Sequence, residues 1–188
     1  MEHTKSGRPR DLDIQLKILR TALVLAERQG YRNVTLQAIA AEARVGRPTI
    51  YRWWPDKTML YLDVIEFEAG ARHPQAEQPD SLKQYLEITY KMLEGYFGSL
   101  CVEVLIDVSS QPKVYKQAYR DSIVKRRQYV QRLLRAFAEQ HEKSFCVSID
   151  VVTDMVIGIM WYRLIHKNIP LTKEKAREVQ TAVEGLLR

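Results

Sequence analysis

The chain has 188 residues, of which 46% are hydrophobic, and a formal net charge of +6. This composition excludes an intrinsically disordered chain and permits one or two domains with a proper core. No run of about 18 apolar residues is present, so we expect no transmembrane helix. The N-terminus lacks an apolar signal segment, which favours a cytoplasmic protein. Two cysteines, Cys101 and Cys146, are too few for a disulfide framework, and we expect buried free thiols rather than a redox pair.

The positive charge is concentrated in the N-terminal third of the chain. Residues 1–57 carry 11 Lys/Arg against 6 Asp/Glu, whereas residues 58–188 carry 18 against 17. A localised basic excess is the electrostatic footprint of a phosphate-binding module. The first ten residues contain Lys5, Arg8 and Arg10 beside Gly7 and Pro9. They are either a basic arm that enters a minor groove or a solvated tail.

The first predicted helix runs from about Asp11 to Gln29, and Gly30 is placed to end it in a left-handed conformation. A short helix follows, with Thr35 as its N-cap. The segment 44–46 then breaks the helical pattern. Gly46 is expected to supply the permissive backbone of this turn.

A second short helix begins at Pro48, whose fixed φ suits a first helical position. Ile50 and Trp54 are four residues apart and are predicted to face inward. The other faces carry two guanidinium groups, two hydroxyls and an indole, which can contact phosphates and base edges; these belong to Arg47, Thr49, Tyr51, Arg52 and Trp53. The pattern predicts a helix-turn-helix, although two short helices joined by a turn also occur in ordinary helical bundles.

After this pair, Pro55 ends the helix, Asp56 is a candidate cap, and Lys57 is placed to reach a phosphate. The remaining chain is predicted to be helical over residues 57–69, 81–98, 100–109, 113–142, 147–167 and 172–187. Only Val102–Val108 is ambiguous between helix and strand. We therefore expect an all-α protein with a DNA-binding domain over 1–57 and a helical domain over 58–188, in which 58–70 form a connecting helix.

Other charged and polar residues carry little functional signal. Lys125, Arg126 and Arg127 are interpreted as a solvated helix face, and Asp150 and Asp154 as a surface or core pair, with a cation or amine site as the alternative. The four histidines have no metal-site spacing, and no nucleophilic triad or phosphate-cradling glycine loop is present. We expect no catalytic residue, no metal, no cofactor and no enzymatic activity.

The stretch TLQAIAAEARVGRPTIYRWWPDKTMLYLDV resembles the head region of the TetR family of bacterial transcriptional regulators. The resemblance is strongest over about residues 14–62. The matching positions are Ala40, Val45, Gly46, Thr49, Tyr51, Pro55 and Lys57. The family commonly has a smaller aromatic residue or His at the position of Trp53, and Phe at the position of Trp54. The departure at Trp53 leaves the base preference open.

This resemblance implies an all-α homodimer of nine or ten helices that binds a palindromic DNA operator. The head of each subunit would enter a major groove. The implied phosphate contacts are Thr35, Gln37, Thr49, Tyr51 and Lys57. The residues implied to lie nearest the base edges are Arg47, Pro48, Arg52 and Trp53.

The same resemblance places a small-molecule effector pocket in the C-terminal domain and a four-helix dimer contact at the last two helices. The aromatic candidates for the pocket are Tyr85, Tyr90, Tyr96, Phe97, Tyr119 and Trp161. The candidates for the dimer contact are Val152, Val156, Ile159, Met160, Val183, Leu186 and Leu187. The expected function is a repressor released from DNA by its effector. The alternatives are a helical ligand-binding or dimerisation module without specific DNA recognition, and a helical-bundle enzyme.

Overall fold

The computed structural model describes residues 12–72, 81–166 and 170–188. Nine α-helices lie within these ranges: α1 Leu12–Gln29, α2 Leu36–Glu42, α3 Arg47–Trp53, α4 Lys57–Arg72, α5 Leu82–Glu94, α6 Tyr96–Ser110, α7 Lys113–Gln140, α8 Ile149–Ile165 and α9 Lys173–Glu184. A short 3-10 turn covers Tyr31–Asn33. The all-α prediction is confirmed, and Val102–Val108 lies inside α6. The predicted basic arm and most of the predicted break after α4 lie outside the described residues.

The chain divides into two compact units, and the division lies between Val64 and Ile65, inside α4. In the first unit, α1 packs against α2 and α2 against α3, around fully buried residues such as Ile18, Ile39 and Ile50. Side chains cap the beginnings of α2 and α4, because the first amides of a helix have no partner within it. The Thr35 hydroxyl accepts from the Ala38 amide at 3.1 Å and the Asp56 carboxylate accepts from the Met59 amide at 3.0 Å.

The turns of the first unit show where local prediction succeeds and fails. Gly30 has φ 82° and ends α1 as predicted, although its ψ of 141° lies outside the left-handed helical region. Gly46 was expected to be the permissive residue between α2 and α3, and this is wrong. Its φ is −65°, whereas Arg44 adopts the positive φ, 53°. Gly46 is instead the N-cap of α3.

The second unit packs α5 against α9 and α6, and α7 against α8. Its buried residues include Leu86, Leu100, Leu133 and Val152. The chain end is paired with the α7–α8 loop, where the backbones of Ser144 and Arg188 exchange two hydrogen bonds of 3.2 and 2.9 Å. None of the helices in the described ranges combines the length and apolarity needed to cross a membrane.

The α5–α6 turn differs from the helix predicted over residues 81–98. The break lies at Gly95, and Gly98 is a buried residue inside α6. A Cβ on Gly98 would overlap the carbonyl oxygen of Leu93 and would lie 2.8 Å from Cδ2 of Leu164. Gly98 is therefore required by close packing of the turn and α8.

The two cysteines also differ from each other. Cys101 is buried in α6, as expected, whereas Cys146 is exposed in the loop before α8. The expectation of a buried thiol is wrong for Cys146. Its loop is held to the chain end by backbone hydrogen bonds, such as that from the Cys146 amide to the Leu186 carbonyl at 2.8 Å, and this leaves the side chain at the surface.

Candidate nucleic-acid interface

The recognition-helix candidate α3 is held against the first unit by its inward face. Ile50 is fully buried and Trp54, directly after the helix, is 2% exposed. The Trp54 indole Nε1–H donates to the Asp63 carboxylate in α4 at 2.8 Å. The predicted inward face is confirmed. The helix begins one residue earlier than predicted, so that Arg47 is its first residue and Pro48 its second.

The outward face of α3 presents the predicted polar and aromatic set. Arg47, Pro48 and Arg52 are exposed, and Tyr51 retains 44% of its accessible surface. No ion pair or hydrogen bond engages the guanidinium groups of Arg47 and Arg52 within the described ranges. Both cations are therefore available to a polyanion without first breaking an internal contact.

Thr49 and Trp53 are half-buried on the flanks of the same helix. The Trp53 ring meets the Trp54 ring edge to face, with centroids 5.6 Å apart and planes at 80°. Edge-to-face geometry is the favourable arrangement of two aromatic rings. Trp54 is itself buried and hydrogen-bonded to Asp63, so its contact restricts the Trp53 indole. The indole is held at the rim of the face formed by Arg47, Tyr51 and Arg52.

The N-terminal end of α2 places two further predicted phosphate contacts on the surface. Thr35 and Gln37 are both exposed. The Thr35 oxygen already accepts the Ala38 amide proton, but its own hydroxyl proton can still be donated. The cap and the predicted phosphate contact are thus compatible.

Lys57 has a structural partner that the sequence did not indicate. Its Nζ donates to the carbonyl oxygens of Tyr31 at 3.0 Å and Arg32 at 3.3 Å, and lies 4.3 Å from the centroid of the Tyr31 ring. An ammonium group has three protons to donate, so two of them are directed at the protein itself. Lys57 therefore holds the 3-10 turn against the start of α4, and its contact with phosphate stays a prediction.

Replacing Lys57 with Met should destabilise the first unit by about 1–3 kcal/mol, since two charge-assisted hydrogen bonds to carbonyls are lost. Hydrogen exchange of amides in α1 to α3, measured by mass spectrometry, reports this loss directly. Lys17→Met is the matched control, because Lys17 is exposed on α1. Equal exchange in the two variants would contradict the role assigned to Lys57.

Comparison with known proteins relates the chain to a family of regulators. A sequence model described as bacterial regulatory proteins, tetR family, matches residues 18–64. The uncharacterized HTH-type transcriptional regulator YdeS of Bacillus subtilis is 28% identical over 97% of this chain and 94% of its own. The N-terminal region of the chain is therefore similar to TetR-family regulatory proteins, and nearly the whole chain is similar to a protein described as a transcriptional regulator.

Solved structures of other proteins share the fold. The TetR family transcription regulator SCO0332 superposes with a TM-score of 0.72 at 22% identity, over 92% of this chain and 98% of its own. GusR of Salmonella enterica gives a TM-score of 0.67 at 18% identity, over 97% of this chain and 98% of its own. At these identities the similarity establishes the arrangement of helices and nothing about ligands.

The second unit contains a cavity of about 720 Å³. Its walls come from the C-terminal part of α4, from α5, from α7 and from one residue of α8. The lining residues are Glu66, Ala69, Gly70, Tyr85, Thr89, Met92, Leu93, Ser122, Lys125, Arg126, Gln128, Tyr129, Gln131, Arg132, Arg135 and Met160.

Of the six aromatic residues predicted for an effector pocket, only Tyr85 lines this cavity. The other five, Tyr90, Tyr96, Phe97, Tyr119 and Trp161, do not. Tyr90 and Phe97 are buried in the core, and the remaining three are half-buried elsewhere. Lys125 and Arg126, interpreted as a solvated face, both line the cavity; Lys125 is exposed as expected, whereas Arg126 is half-buried.

The dimer prediction is corrected at four positions. Val152, Val156, Met160 and Val183 are buried in the core of their own subunit, so they have no surface left for a partner. Ile159, Leu186 and Leu187 are half-buried. The exposed apolar side chains of α8 are instead Val151, Met155, Tyr162 and Ile165, each 40–58% exposed.

The carboxylates of Asp150 and Asp154 have an internal cation. Arg127 donates to both, and Gln131 adds a hydrogen bond to Asp150 at 2.8 Å. The pair therefore links α8 to α7, and the alternative of an external cation or amine site is not needed.

Proposed function

We propose that the protein is a cytoplasmic, ligand-responsive repressor that binds a palindromic operator as a homodimer. The observation that carries the proposal is the outward face of α3, where Arg47 and Arg52 flank Tyr51. Arginine pairs bidentately with guanine or phosphate, and hydroxyls contact phosphate oxygens. The buried Ile50 and Trp54 fix the orientation of this face, which is the preorganisation that specific recognition needs.

The proposed dimer contact is the exposed apolar stripe of α8, formed by Val151, Met155, Gly158, Tyr162 and Ile165. These positions are separated by four, three, four and three residues, which is the spacing of one continuous helical seam. All five are exposed in the single chain. A two-fold contact between two such stripes buries apolar surface on both subunits and matches the symmetry of a palindromic operator.

The proposed response to a ligand uses α4, which is shared by the two units. Its first residue, Lys57, holds the 3-10 turn of the first unit, and its residues Glu66, Ala69 and Gly70 line the cavity of the second. A ligand that prefers one placement of α4 shifts the population toward it. A coupling free energy of about 1–3 kcal/mol changes operator affinity by about 5- to 150-fold.

Replacing Arg47 with Ala should weaken operator binding by about 1–3 kcal/mol while the dimer stays intact. The operator is first selected from a random duplex pool with the purified protein, and affinity is then measured by fluorescence anisotropy. Tyr51→Ala should act in the same direction through a lost phosphate contact. Arg28→Ala is the control within the first unit, since Arg28 lies on α1 and pairs with Glu42 at 3.9 Å.

Unchanged affinity in both α3 variants would remove α3 as the recognition helix. The cavity favours one other candidate function, a ligand-binding module without specific DNA recognition. That candidate predicts no enriched duplex and only weak binding that disappears as salt rises, because nonspecific contacts to phosphate depend steeply on salt.

A further inference from the structure

The cavity of the second unit has a strong excess of positive charge. Four cationic side chains line it, namely Lys125, Arg126, Arg132 and Arg135, whereas Glu66 is the single carboxylate. The Glu66 carboxylate accepts a hydrogen bond from the Ser122 hydroxyl at 2.6 Å. No ion pair neutralises any of the four cations within the described residues. This basic wall is therefore unlike the neighbouring Arg127, whose charge is paired with the carboxylates of Asp150 and Asp154.

The opposite wall is mainly apolar, with Thr89 as a polar residue. The cavity-lining residues Met92, Leu93 and Met160 come from α5 and α8 and are buried, as is Tyr85. The Tyr85 ring lies 5.6 Å from that of Tyr129, which stands on α7 beside the cations. The cavity thus has two chemically different sides, one for charge and one for hydrocarbon.

Arg126 is the cation that reaches furthest toward the interior. It is half-buried, whereas Lys125, Arg132 and Arg135 are exposed. Burial raises the pKa of the Cys101 thiol to about 12 and also raises the pKa of Tyr85, and in both cases the Arg126 charge opposes the rise. Because Arg126 is half-buried, an anion bound to it is less screened by water than an anion bound to a fully exposed cation.

We propose that this cavity binds an amphipathic organic anion. Arg126 holds its carboxylate or phosphate head together with Lys125 and Arg132, and its hydrocarbon body packs against Met92, Leu93 and Met160. The volume of 720 Å³ suits a small organic ligand. The four cations disfavour an organic cation of the same shape. The assignment of this anion as the effector of the repressor rests on the proposed function.

The test uses decyl compounds that differ only in the head group. Decanoate and decyl phosphate are compared with neutral decanol and with decyltrimethylammonium, by calorimetry on the full chain without DNA, below micelle-forming concentrations. We expect at least one anion to bind about tenfold more tightly than decanol or better, in line with a charge-assisted contact, and the ammonium compound not to bind. The carboxylate and phosphate arms identify the preferred head.

Arg126→Gln removes the inner cation and should lower the affinity for the preferred anion by about 10- to 100-fold, leaving decanol unaffected. Arg120→Gln is the control, because Arg120 is an exposed arginine on the same helix outside the cavity. Circular dichroism confirms that each variant is folded. Decanol binding as tightly as both anions, or an equal loss for all ligands in Arg126→Gln, would overturn the proposal.

Operator binding is measured in a separate experiment, so that a failure of the anion-site proposal can be distinguished from a failure of the repressor proposal. An operator complex released by a cationic or neutral ligand, and by neither anion, keeps the repressor and overturns the anion site. Anion binding that depends on Arg126, in a protein that enriches no duplex, supports the anion site and removes the repressor.

Discussion

Replacing Gly98 with Ala should cost the second unit about 3 kcal/mol or more, at the upper end of overpacking effects. The added Cβ would overlap the Leu93 carbonyl oxygen and would lie 2.8 Å from Leu164 Cδ2. The obstructing atom belongs to the backbone, which cannot rotate away as a side chain can. The turn is also tied to α6, because the Gly98 amide donates to the Gly95 carbonyl at 3.2 Å.

Urea denaturation followed by far-ultraviolet circular dichroism measures this cost. Gly70→Ala is the matched control, since Gly70 lies in α4 and an added Cβ meets nothing within 4 Å. It should be neutral or stabilise the protein by up to about 1 kcal/mol, because alanine is the better helix former. If Gly98→Ala and Gly70→Ala had the same denaturation midpoint, the close approach of α6 to Leu93 would be refuted.

Sequence patterns predicted those parts of the fold that depend on neighbouring residues. Thr35 and Asp56 cap helices as expected, because a cap forms between residues three apart in the chain. The inward face of α3 was predicted for the same reason: the spacing of Ile50 and Trp54 is a local property. The existence of each helix follows from such signals.

Two turn positions were predicted poorly. Gly98 was taken as a helix end, because the local sequence does not show that Leu164 on α8 approaches it. Gly46 was preferred over Arg44 as the turn residue on intrinsic propensity, but the chain places the positive φ at Arg44. Arg44 follows the end of α2, where the Val45 amide donates to the Ala40 carbonyl at 2.9 Å, so a helix cap and not the glycine sets the turn.

The sequence also did not show which residues of the second unit face the core and which line its cavity. The helix α8 is apolar on nearly every side, so its sequence does not show which face meets the core and which meets a partner. The predicted dimer residues Val152 and Val156 fell on the core face. The α7 cations Lys125 and Arg126 resembled a solvated face, because one helix alone cannot reveal the apolar wall opposite it.

The exposed face of α8 leads to the largest functional effect that we expect. Changing Met155 and Tyr162 together to Glu should convert the proposed dimer into monomers, since four carboxylates would meet across its two-fold axis without partners. Each head would then bind its half-site independently. Losing the linkage of two heads should reduce operator affinity by about 10²- to 10⁴-fold.

Sedimentation velocity gives the oligomeric state of this double variant, and anisotropy with the selected operator gives its affinity. Ile106→Glu is the control, because Ile106 is an exposed apolar residue of α6 in the same unit. It should stay dimeric and bind the operator normally. A double variant that remained dimeric would place the contact elsewhere. A monomeric double variant with full operator affinity would show that one head on a single half-site suffices, and that two-fold symmetry is not needed for recognition.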